Sequence, residues 1–336
     1  MKKNTLKNED RAGPKPQPGL HFSRLLIGLL VGAGVIYLVS RELSWREVAA
    51  ALAGVRPGWL AAALAAAFAG QTVKAVRWRR MLASERNPPS LPTVWVFHLT
   101  GQLGNIFIPG PAGDVGRIVI LGGRGQGRIF TMGTVALEKV LDLIAFGFLV
   151  AVVLVSAPLP DWIAESALML LGLSVVVAAG FWVALRFQAR LAAAAAALVA
   201  WLPAAWARRA GTGLKAAGAA LGAVRGRRQA FRLTLATCLL WTASLAVNRA
   251  VAEAFGLDLP PIAPVLLLVV LQVGVSTNIV PGTIGLFEFL CIQTLSLYDV
   301  PPQTAFSFGL LLHAVVLAPL LTAAALAAVG AMKVEG

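Results

Sequence analysis

The sequence predicts an all-α polytopic membrane protein of about six full spans plus two oppositely oriented re-entrant hairpins, built as an inverted repeat. Three observations predict it. Hydrophobic residues make up 58% of the 336-residue chain and charged residues only 13%, against about 25% charged in a soluble domain. Apolar stretches recur at 22–40, 58–76, 91–108, 129–156, 162–186, 231–256, 262–297 and 303–331, and a span needs about 20 mostly apolar residues. Two of those stretches, 91–108 and 262–297, are interrupted or ended by Pro/Gly clusters. Irregular backbone at membrane depth is tolerated only where protein or a wet cavity covers it. A soluble enzyme is excluded, and little chain remains for an extramembrane domain.

Residues 1–21 read as a disordered basic cytoplasmic tail, polar and Pro-containing, with Lys2, Lys3, Lys7, Arg11 and Lys15. The membrane domain is expected over 22–331. Its first span, Leu25 to Ser40, lacks a small-residue cleavage pattern and is read as retained. The 29 Lys+Arg exceed the 15 Asp+Glu by 14, which in a soluble protein would suggest nucleic acid. Here the excess gathers in the tail and in one Ala-rich segment, 187–229, so retention of basic loops in the cytoplasm and contact with anionic lipid account for it. That segment interleaves Arg190, Arg208, Arg209, Lys215, Arg225, Arg227 and Arg228 with Trp201 and Trp206. The pattern suits helices lying on the membrane surface or a frayed cytoplasmic linker. No nucleic-acid partner is expected.

Counting basic residues loop by loop places both termini in the cytoplasm of an inner (cytoplasmic) membrane. The turns Ala157 to Asp161, Gly256 to Pro261 and Asp299 to Pro302 contain no Lys or Arg and read as outside. Arg80 and Arg124 both belong inside, so residues 91–128 must enter from the cytoplasm and return; 262–299 must do the same from the other face. Cys238 and Cys291 each lie in an apolar run and support neither a disulfide framework nor a Cys-based metal site.

Each hairpin carries one kernel, P-G-x-x-G. Pro109, Gly110 and Gly113 form the first, after Gln102, Gly104 and Asn105; Pro281, Gly282 and Gly285 form the second, after Gln272, Gly274 and Asn278. With 19 Pro and 33 Gly, chance predicts on the order of 0.2 such kernels. The units 58–156 and 231–331 then both read span, hairpin, span, with opposite orientation, an architecture in which broken helices meet at a midplane site. Pro and Gly that merely kink ordinary spans are the plainer alternative.

Ionisable residues inside apolar runs cost about 2.5–3.5 kcal/mol at a helix centre and are functional candidates by default. Glu138, Lys139 and Asp142 qualify, and Glu138 and Asp142 stack on one helical face. They call for a cation, water, or a basic partner such as Arg117 or Arg77; alternatively Glu138 pairs with Arg128 or Lys139. Asp114 and Arg117 follow the first kernel and Glu288 the second, so both tips place charge beside exposed backbone amides. Arg77 lies deepest in a cluster with Arg79 and Arg80, whose common explanation is snorkelling to the interface. Asn248 and Arg249 are the second unit's counterparts. His98 and His313 are expected to pack or hydrogen-bond between helices. No HExxH, P-loop or Ser/His/Asp grouping is present, so neither a cofactor nor an enzymatic activity is expected.

Taken in order, Arg77-Trp78, Asn105 with Pro109-Gly110-x-x-Gly113-Asp114-x-x-Arg117, Glu138-Lys139-x-x-Asp142 and Pro281-Gly282-x-x-Gly285-x-x-Glu288 resemble the lysylphosphatidylglycerol synthase transmembrane region, a flippase-like membrane family. The resemblance covers nearly all of 20–331, with Lys139 standing where Arg is more usual. It implies lipid translocation or handling without the aminoacyl-transferase half of the full-length synthases.

The expected function is thus a lipid transporter that moves a phospholipid or lipid-linked headgroup across the membrane. Its expected site comprises Arg77, Asn105, Pro109, Gly110, Gly113, Asp114, Arg117, Glu138, Asp142, Asn278, Pro281, Gly282, Gly285 and Glu288. In this reading Arg77 and Arg117 hold phosphate, while Glu138, Asp142 and Glu288 meet a cationic headgroup or carry protons. The expected partners are membrane lipids of the anionic phospholipid, aminoacylated or polyprenyl-phosphate type, with a second copy of the chain or a separate lipid-synthesis enzyme left open. A membrane-embedded lipid-modifying transferase and a small-solute or ion transporter on the same scaffold are the rival readings.

Overall fold

The structure, a computed structural model, describes residues 34, 37, 41, 43–83, 87–108, 110–157, 161–201, 203–224, 226–276 and 280–332. The expected basic tail and nearly all of the expected first span lie outside the described residues. Every regular element described is helical. A short α1 (Trp45–Ala53) precedes α2 (Pro57–Leu82), α3 (Leu91–Phe107), α4 (Ala112–Leu121), α5 (Arg128–Ser156) and α6 (Asp161–Arg186). The chain continues through α7 (Gln188–Ala200), α8 (Ala204–Gly222), α9 (Arg227–Ala254), α10 (Ala263–Ser276), α11 (Leu286–Leu295) and α12 (Pro302–Met332).

Five helices are long and apolar enough to cross a membrane, at 57–82, 128–156, 164–186, 227–254 and 302–330. The protein is therefore an all-α, multi-pass membrane protein. The helices flanking the two kernels are short. At 1.5 Å per residue, α3 is about 25 Å long, α10 about 21 Å, and α4 and α11 about 15 Å each, all below the roughly 30 Å hydrocarbon core. Each pair instead folds into a hairpin, with α3 packed on α4 and α10 on α11.

The breaks have local causes. Ser90 starts α3 by accepting the Thr93 N–H at 3.4 Å, and Ile108 ends it in extended backbone. Gly110 then adopts φ +82°, a conformation that costs a residue with a Cβ. In the second hairpin, Pro281–Thr283 form a single tight turn, with Gly282 at φ +71° and Gly285 at φ +86° before α11 begins.

The frame that holds the hairpins is the α2–α9 pair, the most extensive helix contact in the molecule. It is antiparallel. The Arg56 N–H donates to the Ala254 carbonyl at 2.9 Å near one end, and Arg77 reaches Thr237 towards the other. Gly70 lets the two helices approach at mid-length, since a Cβ there would lie 3.2 Å from the Ala243 Cβ. Each half of the pair anchors a core. Ala63 and Ala67 pack with Val251, Cys291, Phe308 and Leu312; Ala75, Trp78 and Met81 pack with Leu121, Leu137 and Leu233.

The segment 187–229 contains the α7–α8 helix pair, with α8 resting on α5 and with Trp201 and Trp206 exposed. Cys291 is buried, as a packing residue should be, whereas Cys238 is exposed on the outer face of α9. A cysteine in an apolar run need not be interior when the solvent on that side is lipid.

Candidate functional site

Between the hairpins and the α2–α9 pair lies a cavity of about 740 Å³. Both units wall it. From the first come Gly70, Gln71 and Lys74 of α2, Gln102 and Asn105 of α3, Asp114 of α4, and Glu138, Lys139 and Asp142 of α5. From the second come Ser244 and Asn248 of α9, Gln272 of α10, Phe287 of α11 and Leu312 of α12. One wall is charged and the other is amide, hydroxyl and hydrocarbon.

The charged wall is a paired network. On α5, Glu138 and Asp142 are one helical turn apart and face α2 and α4. Arg117 sits behind Glu138, with its Nη1 3.1 Å from the Glu138 carboxylate and its Nη2 2.8 Å from Asp114. The same Nη1 donates to His98 Nδ1 at 2.8 Å, and the guanidinium lies 4.8 Å from the centre of the Trp78 ring. Trp78 is itself fixed by donating Nε1–H to Thr134 Oγ1 at 3.2 Å. Arg77, fully buried, places Nη1 2.7 Å from Asp142 and donates to Thr237 Oγ1 at 2.9 Å. The interface-snorkelling explanation therefore does not describe Arg77, whose charge is matched inside the protein. Lys139 Nζ is 3.2 Å from the second oxygen of Asp114. Breaking a buried pair of this sort by removing one partner costs about 3–5 kcal/mol, because the survivor is left charged and unmatched.

The hairpin itself is closed by glycine. A Cβ on Gly113 would fall 1.7 Å from the Gly101 carbonyl oxygen, and one on Gly104 would fall 3.0 Å from the Gly113 Cα. That approach brings the start of α4 against α3, where the Asp114 N–H donates to Asn105 Oδ1 at 3.0 Å.

The second tip is organised differently. Glu288 turns back so that one carboxylate oxygen accepts the Gly285 N–H at 2.7 Å, capping α11, while the other lies 2.9 Å from His313 Nδ1. The His313 ring stacks on Phe287 with centroids 4.4 Å apart. The two tips touch through Phe107, whose ring edge would lie 3.0 Å from a Cβ on Gly282.

Of the expected site residues, Asn105, Gly110, Asp114, Glu138 and Asp142 line the cavity. Arg77 and Arg117 stand behind that wall as the partners of its carboxylates, and Gly113 closes the hairpin. Pro281, Gly282, Gly285 and Glu288 shape the second tip. Pro109 and Asn278 lie outside the described residues. Of the partners left open for Glu138 and Asp142, the structure places Arg117 beside the first and Arg77 beside the second, and Arg128 is not among the ion pairs of Glu138.

The polar cavity residues Lys74, Gln71 and Ser244 were not singled out from sequence. The signal for Lys74 was present, because it is an ionisable residue inside the apolar stretch 58–76. Its Nζ donates to Gln102 Oε1 at 3.4 Å, and Gln102 Nε2 in turn donates to Gln71 Oε1 at 2.9 Å. Among the described residues, no group of three His, Cys, Asp or Glu side chains is placed to hold a metal ion.

Residues 25–324 match the family described as the lysylphosphatidylglycerol synthase TM region. A search of curated proteins finds no match.

Proposed function

Because the chain belongs to the lysylphosphatidylglycerol synthase transmembrane family, a membrane family with a lipid-related role, we propose that it is a lipid transporter of the cytoplasmic membrane. It moves a phospholipid or lipid-linked headgroup through the cavity between its two hairpins while the acyl chains stay in lipid. The observation that carries this reading is the cavity itself, polar on its α2, α3 and α5 side and walled by broken helices from both units. A headgroup needs such a surface at membrane depth, where every unmatched polar group is costly. Asn105, Asp114, Glu138 and Asp142 form the contact wall in this proposal, and Arg77 and Arg117 hold its carboxylates in place.

The inverted repeat is part of the same proposal. Its support is the antiparallel α2–α9 pair, which runs the first helix of each unit in opposite directions, together with tips that meet through Phe107 and Gly282. Exposed Arg124 and Asp258 then lie on opposite faces of the membrane. Single cysteines at these positions, in a Cys238→Ala background, should be labelled from opposite compartments; labelling from one compartment removes the inverted arrangement.

The test of transport is lipid translocation in proteoliposomes. Ser244→Trp places a bulky side chain in the cavity from α9, at a position that belongs to none of the ion pairs. It is expected to slow translocation by about tenfold or more while leaving the protein folded. Wild-type translocation by Ser244→Trp overturns the reading.

A further inference from the structure

Among the described residues, ion pairing of the charged groups around the cavity is complete but for one cation. Arg77 is matched by Asp142, Arg117 by Glu138, and Lys139 by Asp114. The positive end of α4 also opens here, but Asp114 already occupies its first turn. Lys74 lines the same cavity within electrostatic reach of Asp142 and Glu138, yet among the described residues it makes an ion pair with neither; the hydrogen bond found for it goes to a neutral amide. Gln102, which accepts from it, is held by Gln71 one turn earlier on α2. Seven ionisable side chains thus leave one cation over, in a hollow where low dielectric makes an unmatched charge expensive and a counter-charge strongly attractive. Among the described residues the second unit supplies no compensating acid, its polar lining residues being Ser244, Asn248 and Gln272.

We propose that the cavity takes a headgroup carrying one net negative charge on a phosphate, with Lys74 as its anchor and Gln71 and Gln102 as positioning residues. The proposal rests on the lipid-transport reading and narrows it. A lipid whose phosphate is already balanced by an attached ammonium group, or which bears net positive charge, leaves Lys74 unmatched and is disfavoured. Arg77 and Arg117 are not the phosphate ligands in this scheme, since each is buried and already ion-paired with a carboxylate.

Native mass spectrometry of the purified full chain with defined lipids tests it, using phosphatidylglycerol (net negative), lysylphosphatidylglycerol (net positive) and a diglycosyl diacylglycerol that lacks phosphate. Wild type is expected to retain phosphatidylglycerol over the other two by about tenfold or more. Lys74→Gln should erase that preference and Lys74→Arg should keep it. Ser244→Glu, which places a carboxylate in the cavity, should also erase it, so the test does not depend on one variant folding. Lys74→Gln without lipid should melt no lower than wild type, because it removes an unmatched charge. Equal retention of the three lipids by wild type, or an unchanged preference in both Lys74→Gln and Ser244→Glu, overturns the proposal. Inorganic phosphate separates the sources: if it raises the melting temperature of wild type but not of Lys74→Gln while phosphatidylglycerol is not retained, the anion site stands and the lipid reading falls. Translocation of all three lipids at equal rates has the opposite meaning, leaving transport in place and removing the charge selection.

Discussion

The two hairpins share a kernel but not a chemistry. In the first, backbone meets backbone at Gly101, Gly104 and Gly113, and the charged residues that follow the kernel pair with each other and outward with α5. In the second, Gly274 accommodates the Leu290 side chain, and the acid that follows the kernel turns back to cap its own helix and meet His313. The same P-G-x-x-G break therefore produces a charged wall in one unit and a capped, aromatic-backed tip in the other. The residues flanking a break, and the helices within reach of them, decide what it does.

Glycine substitutions test this contrast most severely. Gly113→Ala drives a Cβ into the Gly101 backbone, which has no rotamer with which to yield, and is expected to cost more than about 4 kcal/mol or to abolish folded protein. Gly274→Ala meets the end of the Leu290 side chain, which can swing aside, at an expected cost of about 1–3 kcal/mol. Thermal unfolding in detergent ranks the two, and equal losses would remove the distinction between the closures.

Removing a charge at each tip comes next. Arg117→Met strands Glu138, leaves Asp114 with Lys139 alone, and should destabilise the fold by about 3–5 kcal/mol. Glu288→Gln keeps an acceptor for the Gly285 N–H while weakening the contact to His313, so about 1–3 kcal/mol is expected from denaturant titration. A Glu288→Gln penalty as large as that of Arg117→Met would show that the second tip also holds an essential charge.

The smallest effect sharpens the comparison within the first hairpin. Asn105→Ala removes the acceptor for the Asp114 N–H and should cost about 1 kcal/mol in the same titration. No loss at all would mean that glycine closure alone positions the start of α4.

Much of this could be read from the chain. The apolar stretches, the short arms beside the kernels and the need of Glu138 and Asp142 for basic partners follow from hydropathy, glycine and proline placement, and the cost of like charges on one helical face. Lys74 carried the same signal as Glu138 but was absorbed into the stretch 58–76, whose Ala and Val residues read as an uninterrupted span. Arg77 was set apart from its neighbours Arg79 and Arg80 by depth alone, because snorkelling to the interface is the common explanation of a basic cluster at a span end. Glu288 stood beside exposed amides in the sequence, yet only the turn at Gly285 revealed that it serves one of them itself.

Helix content, the places where helices break and the membrane setting were determined by sequence alone, because they depend on local backbone preference and on apolar area summed over a window. Which arginine meets which carboxylate, and that Lys74 meets none, was decided only when α2, α4 and α5 converged around the cavity. Ion pairing depends on approach within about 4 Å between residues far apart along the chain, and no local pattern encodes that distance.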